Sequence, residues 1–281
     1  MKVNYLVSVL LFLYCFLKRY FKYSIISAMN QSQRIAVITG ATSGIGLATA
    51  QAFAAQGINL ILCGRRANRL QSIKQELSQQ VQVQTLCFDV RDRAEVTKAF
   101  ESLPEAWQNI DILINNAGNA HGLSPIQDGD LDDWDAMLDI NVRGLLYVSK
   151  SIIPTMVNRQ SGHIVNIGSI AGRAAYPNGN VYCASKSAVA SLTEGMRQDL
   201  NPYGIKVTAI DPGMVETEFS LVRFKGDEAR ADAVYKGLTP LSAADVADAI
   251  LYAVTRPAHV VVADMLLLPT AQASATIVKR Q

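Results

Sequence analysis

Short, almost uninterrupted apolar runs alternate with longer amphipathic stretches from Arg34 onward, and this alternation limits the fold more than any other feature of the chain. The runs expected to form strands are Ile35–Thr39, Asn59–Cys63, Val83–Phe88, Ile112–Asn115, His163–Gly168 and Lys206–Ile210, with a last short one at Val260–Ala263. Helical periodicity is expected near 45–56, 67–80, 92–102, 132–158, 181–200 and 243–255. Strands that are apolar on both sides need cover on both faces, and a helix after each strand returns the chain to start the next one parallel. The expected fold is therefore α/β: a single doubly wound domain of Rossmann type, its parallel sheet covered by helices on both faces. Pro212 to Pro240 is the exception, following a strand's carboxyl end without strong periodicity. Ligands of such sheets bind at those ends, so this segment is expected to be a lid.

Bulk properties exclude several classes. The chain has 281 residues and a net charge of +2, and four of its 26 basic residues (Lys2, Lys18, Arg19 and Lys22) fall within 1–28, where there is no acid. The rest carries 22 bases against 24 acids, which argues against a nucleic-acid surface. Cys15, Cys63, Cys87 and Cys183 show no paired spacing, and Cys63 and Cys87 fall in expected buried strands, so neither a disulfide framework nor a zinc site is implied. A reducing, cytoplasmic compartment fits. The apolar run Tyr5 to Leu17 is shorter than the roughly 20 residues a membrane helix needs, and it lacks the layout of a signal peptide. Residues 1–28 are expected to lie upstream of a true start at Met29, the alternative being a membrane-surface anchor; the domain proper is 29–281.

Two constellations carry chemistry. Tyr182 and Lys186 are four residues apart at the start of a helical run, which puts both on one face. Bringing a phenol from a pKa of about 10 to neutral pH takes roughly 4 kcal/mol. A cation about 5 Å away supplies on the order of 3 kcal/mol, so Lys186 is expected to do most of this, with an oxidised nicotinamide ring adding the rest. Ser169 lies thirteen residues before Tyr182, at the end of an expected strand. The second constellation is the turn Gly40-Ala41-Thr42-Ser43-Gly44-Ile45-Gly46, which follows the first strand and opens a helix. There glycines let the backbone approach a pyrophosphate, and helix N–H groups meet its charge. An NAD site needs an acid about 20 residues further on, at the end of the second strand. This chain has Cys63-Gly64-Arg65-Arg66 there, and two guanidiniums suit a 2′-phosphate, so NADP is the expected cofactor.

Thr39-Gly40-x-x-x-Gly44-Ile45-Gly46, Asn115-Asn116-Ala117-Gly118, Ser169 and Tyr182-x-x-x-Lys186, in that order, resemble the short-chain dehydrogenase/reductase family over residues 34–281. The resemblance implies that Tyr182 is the general acid/base, that Lys186 lowers its pKa and binds the nicotinamide ribose, and that Ser169 holds the substrate oxygen. It further implies that Asn141 positions Lys186 through a water in a proton relay. Asn116, Ala117 and Gly118 would border the adenine ribose, and Asp89 and Val90 would contact the adenine. Pro212-Gly213-Met214-Val215-Glu216-Thr217 would hold the nicotinamide carboxamide.

The implied reaction exchanges hydride between NADP(H) and a carbinol or carbonyl carbon. No ligand spacing suits a metal, and His121, His163 and His259 read as structural. The segment Glu218 to Asp227, with Pro257-Ala258-His259-Val260 and the terminal Lys279-Arg280-Gln281, resembles the branch of NADP-dependent 3-hydroxy acid dehydrogenases, which act on serine, allo-threonine and 3-hydroxypropionate and reduce malonic semialdehyde. Arg223 and Lys225 put cations in the lid, with Arg223 the candidate partner for a substrate carboxylate. The alternatives are a general carbonyl reductase of the same fold and a cofactor-binding sensor, the latter disfavoured by the intact Ser169–Tyr182–Lys186 set. The resemblance also implies a homotetramer packed through 132–158 and 181–200. Cys183, beside the tyrosine, is expected to make activity sensitive to thiol reagents.

Overall fold

The computed structural model describes residues 34–281. Expectations for residues 1–28, and for the start at Met29, lie outside the described residues. Seven parallel strands form one sheet in the order β3-β2-β1-β4-β5-β6-β7. They are β1 (Ile35–Thr39), β2 (Asn59–Gly64), β3 (Val83–Cys87), β4 (Ile112–Asn115), β5 (Gly162–Ile167), β6 (Ile205–Pro212) and β7 (Asp264–Leu267). The helices are α1 (Gly44–Ala55), α2 (Ala67–Leu77), α3 (Arg93–Glu101), α4 (Leu131–Leu138), α5 (Leu145–Arg159), α6 (Asn180–Leu200), α7 (Phe219–Arg223), α8 (Glu228–Ala233) and α9 (Ala243–Val254).

The period-2 alternation of each strand divides the core. Ala36 and Ile38 of β1 join Phe53 of α1, Leu70 and Ile73 of α2 and Ile250 of α9 on one face. Ile35 and Val37 join Phe100 of α3, Val148 and Ile152 of α5 and Leu200 of α6 on the other. The chain winds outward from β1 in one direction through β2 and β3, then resumes at β4 on the opposite side. The crevice at this reversal, beyond the carboxyl ends of β1 and β4, is where such sheets take ligands.

Three expected elements differ. The last strand is Asp264–Leu267 rather than Val260–Ala263, paired from Ala209↔Asp264 to Pro212↔Leu267. Val260–Ala263 lies beside β6 and offers carbonyls: Ala263 accepts from the Ala209 N–H at 2.9 Å, and Lys206 Nζ and Thr208 Oγ1 of β6 and Arg197 Nη2 of α6 donate to Val260, Val262 and Ala263. The stretch 132–158 is not one helix, because a π-helical segment at Asp139–Gly144 separates α4 from α5. Residues that share an irregular turn of this kind are often functional, and Asn141 is one of them. The expected lid does contain local order, namely α7 and α8. Cys87, expected in a buried strand, is exposed at the tip of β3, whereas Cys63 and Cys183 are buried.

Candidate active site

A cavity of about 780 Å³ opens along the carboxyl ends of the strands, bounded by Gly40, Gly64, Phe88, Asn116, Gly168 and Pro212. Its first end is built by two neighbouring turns. Gly44 has φ +53°, a left-handed conformation that costs glycine little. A β-carbon at Gly46 would collide with the Gly40 carbonyl, so α1 can start this close to β1 only with glycine there. Asn116 fixes the turn from the other side: its Nδ2 donates to the Thr39 and Gly40 carbonyls at 2.9 and 3.3 Å. Thr39 Oγ1 accepts from the N–H groups of Asn116 and Ala117, both at 3.0 Å. The α1 N-terminus thus faces the cavity with its N–H groups, as an anion site requires.

Arg66 reaches from the end of β2 across this turn. Its Nη2 donates to Thr42 Oγ1 and Ser43 Oγ, each at 2.7 Å, and its Nη1 meets Glu218 of the lid at 2.9 Å. Arg69, in the first turn of α2, meets the same carboxylate at 2.7 Å. These two guanidiniums, Arg66 first, hold the Glu218 carboxyl down at about 2. Arg65 is more exposed and lies 3.5 Å from Asp89. The residues that follow β2 include no acid, and the Arg65 and Arg66 guanidiniums, held here by Asp89 and Glu218, fit a 2′-phosphate together with the Thr42 and Ser43 hydroxyls.

The other end gathers around Tyr182. Ser169 ends the turn after β5, where its Oγ accepts from the Ala171 N–H at 3.1 Å and lies 3.5 Å from the Pro212 carbonyl. Asn141 is buried, and its side chain is fully engaged. Oδ1 accepts from the Asn119 N–H at 2.8 Å, while Nδ2 donates to the Asn119 carbonyl at 2.9 Å and to Ser185 Oγ at 3.0 Å. Gly118 sits between Asn141 and Lys186: a β-carbon on it would lie 3.1 Å from Asn141 Oδ1 and 3.5 Å from Lys186 Nζ. Ser169, Tyr182 and Lys186 all line the one cavity, with Asn141 directly behind its Gly118 wall.

Burial dominates the electrostatics at this end. The Lys186 ammonium, being buried, takes an acceptor and donates to the Ile167 carbonyl at 2.9 Å. Burial pulls its pKa down to about 8, with Asp211 opposing. Burial pushes the Tyr182 phenol up to about 12, opposed by the Arg223 cation and by the Ser169 hydroxyl. The Arg223 guanidinium lies 4.9 Å from the Tyr182 ring centroid and 5.3 Å from that of Phe219. Phe219 in turn packs edge-to-face on Tyr182, with centroids 5.7 Å apart.

Arg223 is therefore inside the site. Its Nη2 donates to the Tyr176 hydroxyl at 2.9 Å, and its Nε, although buried, has no protein partner. Lys225 is turned away, pairing with Asp133 at 2.9 Å and Asp130 at 3.7 Å, so the lid offers the cavity one of its two expected cations. Cys183 is buried at 3% exposure and does not line the cavity, which removes the structural basis for reagent sensitivity. His163 is structural: it is buried, bonds Thr208 Oγ1 at 2.8 Å and is pulled to about 3 by burial. His121 lies 2.6 Å from Asn119 Nδ2, next to the residue that Asn141 holds.

Sequence reasoning missed Tyr176, Arg69, Phe219, Asn119 and Gln272. Gln272 accepts from the Met214 N–H at 2.9 Å, tying the carboxyl-terminal segment to the loop after β6. Nothing in its sequence neighbourhood signals that role. Among the described residues, no group of three or more His, Cys, Asp or Glu is arranged to hold a metal ion.

The family model described as short chain dehydrogenase matches residues 34–227. Sulfoacetaldehyde reductase 2 of Chromohalobacter salexigens is 49% identical over 240 residues, covering 85% of this chain and 95% of that protein. The NADP-dependent 3-hydroxy acid dehydrogenase YdfG of Escherichia coli is 43% identical over 242 residues, covering 86% and 97%. Among solved structures, the closed form of serine dehydrogenase complexed with NADP+ is 43% identical with a TM-score of 0.83, covering 88% of this chain and 100% of that one. With its glycine turn, its Ser169–Tyr182–Lys186 set and these matches along nearly all of residues 34–281, the chain belongs to the short-chain dehydrogenase family.

Proposed function

We propose that this enzyme interconverts small aldehydes and alcohols that carry an anionic group one carbon from the reacting carbon, with Arg223 as the clamp for that group. The chain is an NADP-dependent oxidoreductase acting on CH–OH groups. The substrates named for its relatives share a chemistry. Sulfoacetaldehyde, 3-hydroxy acids and serine each place a sulfonate or carboxylate on the carbon next to the carbonyl or carbinol. The observation that carries the reading is the buried, unpartnered Arg223 Nε on a guanidinium seated over the Tyr182 ring. A buried donor without a partner is costly, and an anionic oxygen of the substrate satisfies it with a charge-assisted bond.

NADP(H) supplies or accepts the hydride. Gly40, Thr42, Ser43, Gly44, Ile45 and Gly46 with the α1 N-terminus would hold its pyrophosphate, and Arg65 and Arg66 would take the 2′-phosphate. Asp89, Val90, Asn116, Ala117 and Gly118 would border the adenosine, while Pro212, Gly213, Met214, Val215 and Thr217 would hold the carboxamide. In reduction Tyr182 gives its proton to the carbonyl oxygen that Ser169 orients. Lys186 would hold the nicotinamide ribose, and Asn141, its side chain engaged by Asn119 and Ser185, would reach the relay water through its backbone. Exposed Leu131, Leu138 and Leu146 on α4 and α5 support packing against further copies, as in a homotetramer. The free Cys63, Cys87 and Cys183 support a cytoplasmic setting. Among the described residues, no helix is long and apolar enough to cross a membrane.

The test is a substrate panel on the purified full chain: sulfoacetaldehyde, malonic semialdehyde and propanal with NADPH and NADH, then L-serine, L-allo-threonine and 3-hydroxypropionate with NADP+. Preference for the anionic substrates with NADP(H) upholds the reading. Equal turnover of propanal makes the chain a general carbonyl reductase.

A further inference from the structure

Asp211 is a buried carboxylate for which the reaction described above has no use. It lies in β6, next to Pro212, and is 4% exposed. The register Ile167↔Ile210 and the Gly168 N–H bond to the Ile210 carbonyl, at 2.8 Å, set Asp211 beside Gly168. The approach is so close that a β-carbon at Gly168 would collide with Asp211 Oδ1. The carbonyl of Ile167, one residue earlier, accepts from Lys186 Nζ. A short piece of β5 backbone therefore separates a buried carboxylate from a buried ammonium.

On its outer side Asp211 meets Arg173, whose Nε donates to Oδ2 at 2.7 Å. Arg173 continues to Asp264 at 3.9 Å, and Asp264 meets Arg197 of α6 at 3.5 Å. Charges of alternating sign thus run from Lys186 through Asp211 and Arg173 to the half-exposed Asp264 and end at Arg197.

We propose that Asp211 is a positioning residue for Lys186, its carboxylate keeping the buried ammonium charged and in place, with Arg173 setting how much of that field the lysine feels. Burial favours the neutral amine, and Asp211 is the charge that works against it. Burial also pushes the Asp211 carboxyl up, opposed by Arg173 and by Lys186 itself, while Asp264 adds to the rise. The other groups on the Lys186 side are Tyr182 and Cys183 of α6, Ser169 after β5, Asn141 of the π-helical segment, and Tyr176 and Arg223 against Tyr182.

The inference rests on the reading of Tyr182 and Lys186 as the acid/base pair, so its test reads the amine directly as well as the activity. Acylation of Lys186 by trace acetic anhydride, followed by mass spectrometry across pH 6–10, reports its ionisation. The alkaline limb of kcat/KM with NADP+ and 3-hydroxypropionate reports the same group through catalysis. The sign is fixed for each variant. Asp211→Asn removes the opposing carboxylate, so both curves move to lower pH, by about one unit. Arg173→Gln strips Asp211 of its counter-cation, so both curves move to higher pH. A merely structural role moves neither, and opposite shifts in the two variants are what the proposal requires. Unchanged curves, or shifts in the same direction, overturn it. If Asp211→Asn does not fold, Arg173→Gln, at a half-exposed side chain, decides alone: a rise upholds the proposal and no rise overturns it. Shifted acylation in a protein inert toward every anionic substrate of the panel upholds Asp211 and overturns only the substrate reading.

Discussion

The glycine-turn end of the cavity and the tyrosine end are assembled from different kinds of chain. The first uses adjoining turns after β1 and β2, where backbone N–H groups and two consecutive arginines present themselves by the course of the chain alone. The second collects Ser169, Tyr176, Tyr182, Phe219 and Arg223 from the ends of β5, α6 and α7, which come together only when the lid lies over the sheet. The first end takes its ligand-facing groups from neighbouring turns, braced by Asn116. The other depends on how a short lid segment is held, and that segment is pinned at both ends: Glu218 to Arg66 and Arg69, Lys225 to Asp130 and Asp133. Cofactor recognition should therefore survive damage to the lid better than substrate recognition does.

The largest effect expected at the tyrosine end comes from Tyr182→Phe. It removes the proton donor and should lower kcat about 10³-fold while leaving the NADP+ Kd, read by fluorescence titration, within a few-fold. A comparable loss of cofactor affinity would mean that the two ends are not separable. Next comes Arg66→Ala, which should weaken NADP+ by about 10- to 100-fold and leave NAD+ nearly unchanged, as loss of a charge-assisted phosphate contact does. Equal weakening of both cofactors would show that Arg66 only shapes the turn. Tyr176→Phe removes the hydroxyl that holds the Arg223 guanidinium in place and should raise KM for an anionic aldehyde by several-fold at nearly constant kcat.

The smallest change is expected from Glu218→Gln. Each of its ion pairs is half-exposed, and such pairs contribute little individually, so the expected cost is about threefold in KM for both substrate and NADPH. Because the Glu218 carboxyl is held at about 2, the strap is fully ionised above the normal glutamate range and weakens only as pH falls toward that value. Any pH dependence of turnover between pH 6 and 10 should therefore be unaffected by Glu218→Gln. A shifted profile would show that the strap reaches Tyr182 or Lys186.

The same contrast governs what the sequence made legible. The parallel sheet could be read because strands buried on both faces leave runs such as Ile35-Ala36-Val37-Ile38, and the glycine turn because Gly44 and Gly46 are required by φ and by close approach. Arg65 and Arg66 could be placed because they directly follow a strand. Tyr176, Phe219 and Gln272 could not, since their partners are 47, 37 and 58 residues away and no local period marks them. Arg223 was legible only as a cation in the lid, because its seat over the Tyr182 ring depends on how a segment 41 residues away in sequence folds back. Val260–Ala263 shows the remaining limit: an apolar run can lie beside a strand, giving one carbonyl to its Ala209 N–H and others to side chains, while the paired strand starts only at Asp264.

The central claim, that Arg223 selects an anionic substrate, is tested most directly by one ratio. It is kcat/KM for sulfoacetaldehyde over that for propanal, measured with NADPH in the wild type and in Arg223→Met. Using the ratio cancels any change that the substitution makes to Tyr182 itself. The account predicts a wild-type ratio of about 10² or more, falling to near unity in the variant. A wild-type ratio near unity, or one that survives the substitution, would contradict it.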